Sequence, residues 1–161
     1  MRRSDREVKE FSEIVRIMEA CDVCRLALHD GDYPYILPLN FGMEVEGERI
    51  TLYFHGADSG RKYELIEQDN RAAFEMDCSH RLVTDRDKGH CTMEYESVIG
   101  CGRVTVVEDA EKRRALSLMM AHYHPGEAFP FNPAAIPRTT VMKLEVERVT
   151  GKIRMKKNGR P

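Results

Sequence analysis

The sequence predicts a mainly β fold of the α+β class, an antiparallel barrel with a few flanking helices. Most of the chain consists of short segments in which apolar and polar residues alternate, separated by turns. Sequential strands with few helices between them are typical of antiparallel barrels rather than of parallel sheets. Gly100 and Gly102 interrupt the longest alternating segment, as glycines do where a strand bulges or bends at a barrel corner.

The first predicted elements are a helix and three strands. Residues 4–7, Ser-Asp-Arg-Glu, have the form of a capping box, and apolar residues then recur at helical spacing, so a helix is predicted over 5–20. The alternating segments 24–29 and 35–41 are joined by a Gly-Asp turn and predict a hairpin. Apolar residues at alternate positions of 50–55 predict the third strand.

Two helices and three strands complete the prediction. A short helix is predicted over 61–68, and alternating residues predict strands over 71–78 and 91–107. A second helix fits 109–123, and a final strand has its inward residues within 142–146. The apolar face of that second helix contains Leu116, Met119, Met120 and Tyr123.

Length and composition restrict the class of protein. With 161 residues the chain is long enough for one domain, which we place at 1–161 with a basic tail at 156–161. A net charge of -2 gives no general attraction to nucleic acid. The amino terminus is charged where a signal peptide would need an apolar run, and no segment reaches membrane-spanning length. We therefore expect a cytoplasmic protein without membrane or nucleic-acid partners.

The loop FHGADSGRK at 54–62 places two cations at the start of the predicted short helix. The helix dipole disfavours Arg61 and Lys62 there by about 0.3–1 kcal/mol each. A phosphate would remove this conflict, because the loop amides and the Ser59 hydroxyl would complete a site for it. The alternative is that both side chains are exposed surface cations, and the spacing alone does not decide between the two.

Three stretches of the sequence resemble a known family. They are YILPLNF at 35–41, LYFHGADSGRKYELI at 52–66 and YESVIGCGRVTVVEDAEKRRAL at 95–116. Together they resemble the FMN-binding split barrels of the pyridoxamine 5'-phosphate oxidase superfamily, most closely its nitroimidazole-resistance branch, over about residues 14–151. The resemblance implies a six-stranded antiparallel split β-barrel of Greek-key type. It also implies a homodimer with two flavins at the subunit interface, and an oxidoreductase whose reduced FMN passes electrons to a small acceptor such as a nitroaromatic.

The resemblance also implies roles for individual residues. Arg61 and Lys62 would bind the FMN phosphate, and Ser97 would approach the flavin from its strand. The residues expected along or beside the isoalloxazine ring are Pro38, Leu39, Asn40, His55 and Gly56. As the catalytic candidate, His55 would orient ring or substrate or donate a proton near neutral pH; a histidine closing a strand is otherwise a hydrogen-bonded structural residue. Pro38 indicates either an edge strand or an opened ladder.

Other readings of the same residues stay open. FAD would present a phosphate to the same loop, and a haem-binding module could use His29, His55 or His122 as its axial ligand. A scaffold without a cofactor is the third possibility. The carboxy-terminal tail is a poor version of the Arg-containing segment that binds the vitamin phosphate in authentic pyridoxamine phosphate oxidases. We therefore expect this protein to share the flavin-binding part of the site with those oxidases and to differ from them in the substrate-binding part.

The remaining cysteines and histidines are assigned structural roles. Cys21-x-x-Cys24 has no second such pair and precedes a strand, so both thiols are expected to be reduced and at least half-buried. Cys78, His80, His90 and Cys91 flank one loop and could in principle hold a tetrahedral zinc ion, but their spacing is not a finger pattern and favours a polar loop end. His122 and His124 suit a helix end. The proline-rich loop 125–137 carries two phenylalanines that could cover a flavin or pack at a dimer surface.

Overall fold

The computed structural model describes residues 3–155 as eight strands and three helices, with short 3-10 turns at Ser4–Arg6 and Ile136–Arg138. The helices are α1 (Phe11–Glu19), α2 (Arg61–Gln68) and α3 (Asp109–Tyr123). The strands are β1 (Glu7–Val8), β2 (Cys24–Asp30), β3 (Tyr33–Leu39), β4 (Gly42–Glu46), β5 (Arg49–Gly56), β6 (Arg71–Asp85), β7 (His90–Val106) and β8 (Thr140–Arg154).

All eight strands belong to one antiparallel sheet that closes almost completely on itself. The order is β3-β2-β6-β7-β8-β5-β4, with β1 added to β8. β3 and β4 are therefore the two edges, yet only Asn40 and Phe41 join them. Because that link spans at most about 11 Å, the two edges must meet. The sheet is a barrel split between β3 and β4, which confirms the predicted fold class with eight strands instead of six.

The amino-terminal helix was predicted too long. It begins at Phe11, not at residue 5, and Ser4–Arg6 form a 3-10 turn in place of the predicted capped first turn. Glu7 and Val8 pair with the carboxy-terminal strand β8. This pairing with a strand more than 140 positions away overrides the local capping signal. The reason is that pairing gives hydrogen-bond partners to backbone groups that the first turn of a helix would leave without them.

The strands also differ from the prediction in their lengths. The predicted strand 35–41 ends at Leu39, and β4 was missed. β6 runs seven residues beyond the predicted end at 78, through a bulge between Cys78 and Arg81. The predicted irregularity in β7 is confirmed by a register shift against β8 at Cys101/Gly102.

Helix α3 covers one outer face of the barrel and positions the candidate site. Its buried residues pack with those of β5 and β8 in a small cluster, separate from the barrel core; the cluster contains Tyr53, Val107, Ala115, Met119 and Val141. A Cβ atom added to Gly42 would lie 2.5 Å from the backbone nitrogen of Met119. The glycine therefore lets the helix contact the backbone of edge strand β4, beside the split.

Candidate functional site

The loop between β5 and α2 has a defined shape. Gly60, the residue before the helix, has φ 137°, a backbone conformation that favours glycine. The Tyr63 hydroxyl donates a hydrogen bond of 2.6 Å to the Ala57 carbonyl and so holds the loop against the helix. The Lys62 ammonium lies 4.5 Å from the centre of the Tyr63 ring, a cation–π distance.

Lys62 lies against the end of β5 because Gly56 has no side chain. A Cβ atom at Gly56 would be 2.8 Å from the Lys62 Nζ. Within residues 3–155, no carboxylate forms an ion pair with Lys62. The ammonium thus lies beside Gly56 and the Tyr63 ring without an anionic partner from the described part of the chain. This arrangement fits a phosphate.

Arg61 is in a different environment. Its guanidinium forms ion pairs with Asp30 at 2.6 Å and with Glu64 at 2.9 Å. The hydrogen bond to Asp30, followed by that to Glu64, raises the pKa of Arg61 above its usual range. Two carboxylates of the protein itself thus stabilise this cation at the helix start, so its position does not require a bound anion.

Ser59 is exposed in the same loop. Its hydroxyl lies 3.3 Å from the Asp58 carboxylate and donates to it. A phosphate bound here would compete with Asp58 for this hydroxyl, which can rotate toward either acceptor.

A cavity of about 500 Å³ opens beside the end of β5. It lies between this strand end, the second half of α3 and the proline-rich loop. The polar side chains in its lining include Asn40, His55, Asn132 and Thr139; the apolar ones include Leu116, Met119, Met120, Phe131 and Ile136. The structure therefore brings together Asn40, in the link between the two edge strands, and His55, at the end of β5.

Hydrogen bonds fix the end of α3 against this split. The Tyr123 hydroxyl donates to the Asp22 carbonyl at 2.8 Å and accepts from the Phe41 amide at 3.0 Å. The His122 Nε2 atom is hydrogen-bonded to the Cys21 carbonyl at 2.8 Å, and its ring packs on Phe41 with 4.3 Å between centroids. His122 therefore joins α3 to the segment before β2 and is not a helix cap.

The predicted ring contacts on β3 are at the sheet edge. Pro38 is exposed and pairs with Arg25 of β2, which confirms the edge-strand interpretation of this proline. Leu39 is half-buried and points to the opposite face from Pro38 and Asn40, as the alternation predicts.

Ser97 is not brought to the cavity within one chain. It pairs with Asp77 of β6 and with Lys152 of β8, whereas the cavity end of β7 is at Val106. Val106 lies nine positions after Ser97, which corresponds to about 30 Å of strand.

The candidate zinc residues are separated along the β6–β7 hairpin. Cys78 pairs with Glu96, whereas His90 pairs with Asp85 at the hairpin tip. In the described part of the chain, no group of three or more His, Cys, Asp or Glu residues is placed to hold a metal ion. Cys21 and Cys24 are buried, as predicted.

Several cavity residues carried no recognisable signal in the sequence. The shared face of α3 was predicted, and all four of its residues line the cavity. Asn132, Ile136 and Thr139 come from the loop before β8 and its short 3-10 turn, where no periodicity indicates which side chains turn inward. None of the helices within residues 3–155 has the length and apolar character needed to cross a membrane.

The structure is a split β-barrel with a cationic loop and a largely apolar cavity at the end of β5. The model of the pyridoxamine 5'-phosphate oxidase family matches residues 10–153. The chain belongs to this family. No functionally curated protein matches it.

Solved structures share the fold. A proposed 5-nitroimidazole antibiotic resistance protein from Bacteroides thetaiotaomicron is 29% identical, with a TM-score of 0.78 over 91% of this chain and 86% of that one. A flavocytochrome from Azotobacter vinelandii is 21% identical, with a TM-score of 0.79 over 97% and 72% of the two chains. A FAD- and haem-binding protein from Mycobacterium smegmatis is 18% identical, with a TM-score of 0.79 over 94% and 74%. The last two similarities concern the fold alone.

Proposed function

We propose that this protein is a flavin-dependent oxidoreductase that binds FMN and passes electrons from it to a small acceptor such as a nitroaromatic. One observation carries the proposal. The Lys62 ammonium has no carboxylate partner among residues 3–155. It lies beside Gly56 at the end of β5, next to the cavity that Asn40 and His55 line. Membership of the family and the similarity to the nitroimidazole resistance protein support the same assignment.

The phosphate end of the flavin would be bound by Lys62, the Ser59 hydroxyl and the amides that open α2. Charge-assisted hydrogen bonds of this kind contribute about 1.5–3 kcal/mol each. Arg61 would act mainly through its ion pairs, by holding the helix start against Asp30 of β2. FAD would engage the same loop through a phosphate.

The ring end would lie along Pro38 to Asn40, with His55 and Gly56 beside it. The flavin supplies the electron-transfer chemistry when bound. His55 lines the cavity at the end of β5, where its imidazole can hold or donate a proton and orient the acceptor. The cavity walls limit what can reach the ring.

We also propose a homodimer formed through the outer face of β3, β2, β6 and β7. Paired residues there make a row of small or apolar side chains, namely Ile36, Ala27, Ala73 and Cys101. Ile36 and the nearby Ile99 are each 58% exposed. Ser97 points to the same outer face as Ile99. A second copy on this face would therefore supply the Ser97 that one chain cannot bring to its own cavity.

The test is titration of the purified protein with FMN and, separately, with FAD, followed by absorbance and by the mass of released cofactor. Lys62→Ala is expected to weaken FMN binding by about 10- to 100-fold, the loss of one charge-assisted contact. Arg61→Ala should weaken it less, because the native guanidinium is already paired. Lys88→Ala, on the β6–β7 hairpin, is the matched lysine control. Protein that binds neither flavin contradicts the proposal.

The second candidate is a binding module without turnover that holds flavin or haem. The observation that favours it is His55, a histidine at the cavity wall whose imidazole could coordinate iron. His122 is less suited because its Nε2 is bonded to Cys21, and His29 is exposed on β2. Haem titration with His55→Ala and His29→Ala separates the candidates: a haem site gives a Soret change that one of these variants abolishes. A scaffold would respond to neither cofactor.

A further inference from the structure

The lining of the cavity has an unusual charge composition. None of the described residues that line it is Asp, Glu, Lys or Arg, although 32% of the chain is charged. The lining does contain two histidines, His55 and His124. The cationic Lys62 lies on the other side of Gly56 and is not part of the lining.

An uncharged lining selects against charged ligands. A carboxylate or phosphate that entered this cavity would leave water without gaining an arginine or lysine partner, and an unpaired charge is strongly disfavoured in such a place. An apolar molecule would instead gain contact with side chains from α3 and from the proline-rich loop, among them Met120, Phe131 and Ile136. The volume of about 500 Å³ suits a ligand of one or two rings.

The proline-rich loop supplies an aromatic cap. Phe129 and Phe131 meet edge to face with 5.2 Å between ring centroids, and His124 lies 6.1 Å from Phe129. Ring edges and faces arranged in this way favour a planar aromatic partner. The carboxamide NH2 groups of Asn40 and Asn132, also in the lining, can donate to a nitro, carbonyl or ring-nitrogen group, whereas the Thr139 hydroxyl already donates to the Ala135 carbonyl at 3.0 Å.

We propose that this cavity binds an uncharged, planar aromatic or heteroaromatic molecule beneath Phe131, and that it excludes carboxylated and phosphorylated analogues. The proposal rests on the proposed function in one respect, since it names the class of acceptor that would reach the flavin. Binding can be tested on flavin-free protein, because the residues from α3 and the proline-rich loop that would contact the ligand are present in a single chain. The same charge pattern excludes a phosphorylated vitamin as the occupant.

The experiment compares three ligands that share a nitrophenyl ring and differ in charge: nitrobenzene, 4-nitrobenzoate and 4-nitrophenyl phosphate. Dissociation constants are measured by ligand-observed NMR on flavin-free protein. We expect nitrobenzene to bind at least about tenfold more tightly than either anion. Equal or tighter binding of the anions would overturn the proposal.

Variants locate the binding. Phe131→Ala should weaken nitrobenzene binding by roughly tenfold through lost ring contact, and Phe131→Leu should recover part of it. Tyr33→Ala removes an aromatic ring that is 81% exposed on β3 and is the control. Ile136→Lys places a cation in the cavity and should reverse the preference toward 4-nitrobenzoate. If Phe131→Ala binds like the parent protein, or Ile136→Lys leaves the preference unchanged, the assigned cavity is wrong.

Failure of this inference can be told apart from failure of the proposed function. FMN titration of the parent protein and of Lys62→Ala reports on the flavin loop alone. Flavin binding without discrimination between the three nitrophenyl ligands overturns the inference and leaves the flavin proposal standing. If the protein discriminates between the three ligands but binds no flavin, the inference stands and the proposed flavin function is overturned.

Discussion

Glu96 is a carboxylate on an inward position of β7, with only 6% of its surface exposed. Arg16 of α1 donates to it at 2.7 Å, and the Ser79 hydroxyl donates at 3.0 Å. Ser79 reaches it from the bulge in β6, where its φ is 58°, a left-handed conformation that is uncommon for a residue other than glycine. One side chain thus joins the amino-terminal helix to β6 and β7.

This contact makes stability depend on pH. The hydrogen bond from Arg16 is the main cause that lowers the pKa of Glu96 below its ordinary value. A group with a lowered folded pKa contributes stability above its unfolded pKa, about 4.3 for Glu. The contribution is lost as pH falls through the folded value. Stability should therefore decline below about pH 5, with Glu96 as one source.

Replacing Glu96 tests that source. We expect Glu96→Gln to lower the free energy of unfolding at pH 7 by about 1–3 kcal/mol, since Arg16 is half-exposed and loses only part of its solvation. The variant should also lose less stability than the parent protein between pH 5 and pH 3. Urea unfolding at the three pH values measures both effects, with the exposed Glu7→Gln as control. Parallel pH curves for parent and variant would show that Glu96 is not a source.

At the scale of elements, α3 sets the geometry of the cavity through its contact with β4. Gly42 allows the Met119 backbone to lie against the strand, and the Met119 side chain lines the cavity. Anything that separates helix from strand should change stability and ligand binding together.

Gly42→Val introduces that separation. The added atoms would collide with the backbone of α3 rather than with a flexible side chain, so the helix must move. We expect a loss of about 1–3 kcal/mol in the free energy of unfolding, together with weaker nitrobenzene binding. Val45→Ala changes a more exposed position of the same strand and should alter neither. A Gly42→Val protein with the parent's stability and ligand affinity would contradict the proposed contact.

The sequence predicts an element when the residues that determine it are close together in the chain. The bounds of α3 and its cavity face are predicted from the helical spacing of its apolar residues. The bulge near Gly102 is predicted from the presence of a glycine within a strand. β4 was missed because the alternation of 35–41 runs on through the crossing at Asn40 and Phe41 and indicates no strand end there. The partner of Arg61, Asp30, lies 31 positions earlier, so no local pattern could separate Arg61 from Lys62.

At the scale of the whole molecule, one chain alone does not bring Ser97 to the proposed flavin site. Ser97 is about 30 Å of strand from the cavity end of β7, on the outer face that also carries Ile99. Small side chains in the centre of this face, Ala27 and Ala73, leave the sheet flat enough for a second copy to approach. Dimerisation and flavin binding should therefore be linked.

Ile99→Lys tests this linkage. A charge in the middle of the outer face has to lose its water when a second copy docks, so we expect a shift from dimer to monomer in analytical ultracentrifugation. Because the monomer would lack the Ser97 of a second copy, its FMN affinity should fall at the same protein concentration. Val45→Lys, at an exposed site on β4 outside the proposed dimer face and outside the cavity lining, should leave both unchanged. A monomeric Ile99→Lys protein that keeps the parent's FMN affinity would confine the flavin site to one chain, and Ser97 would then have no part in it.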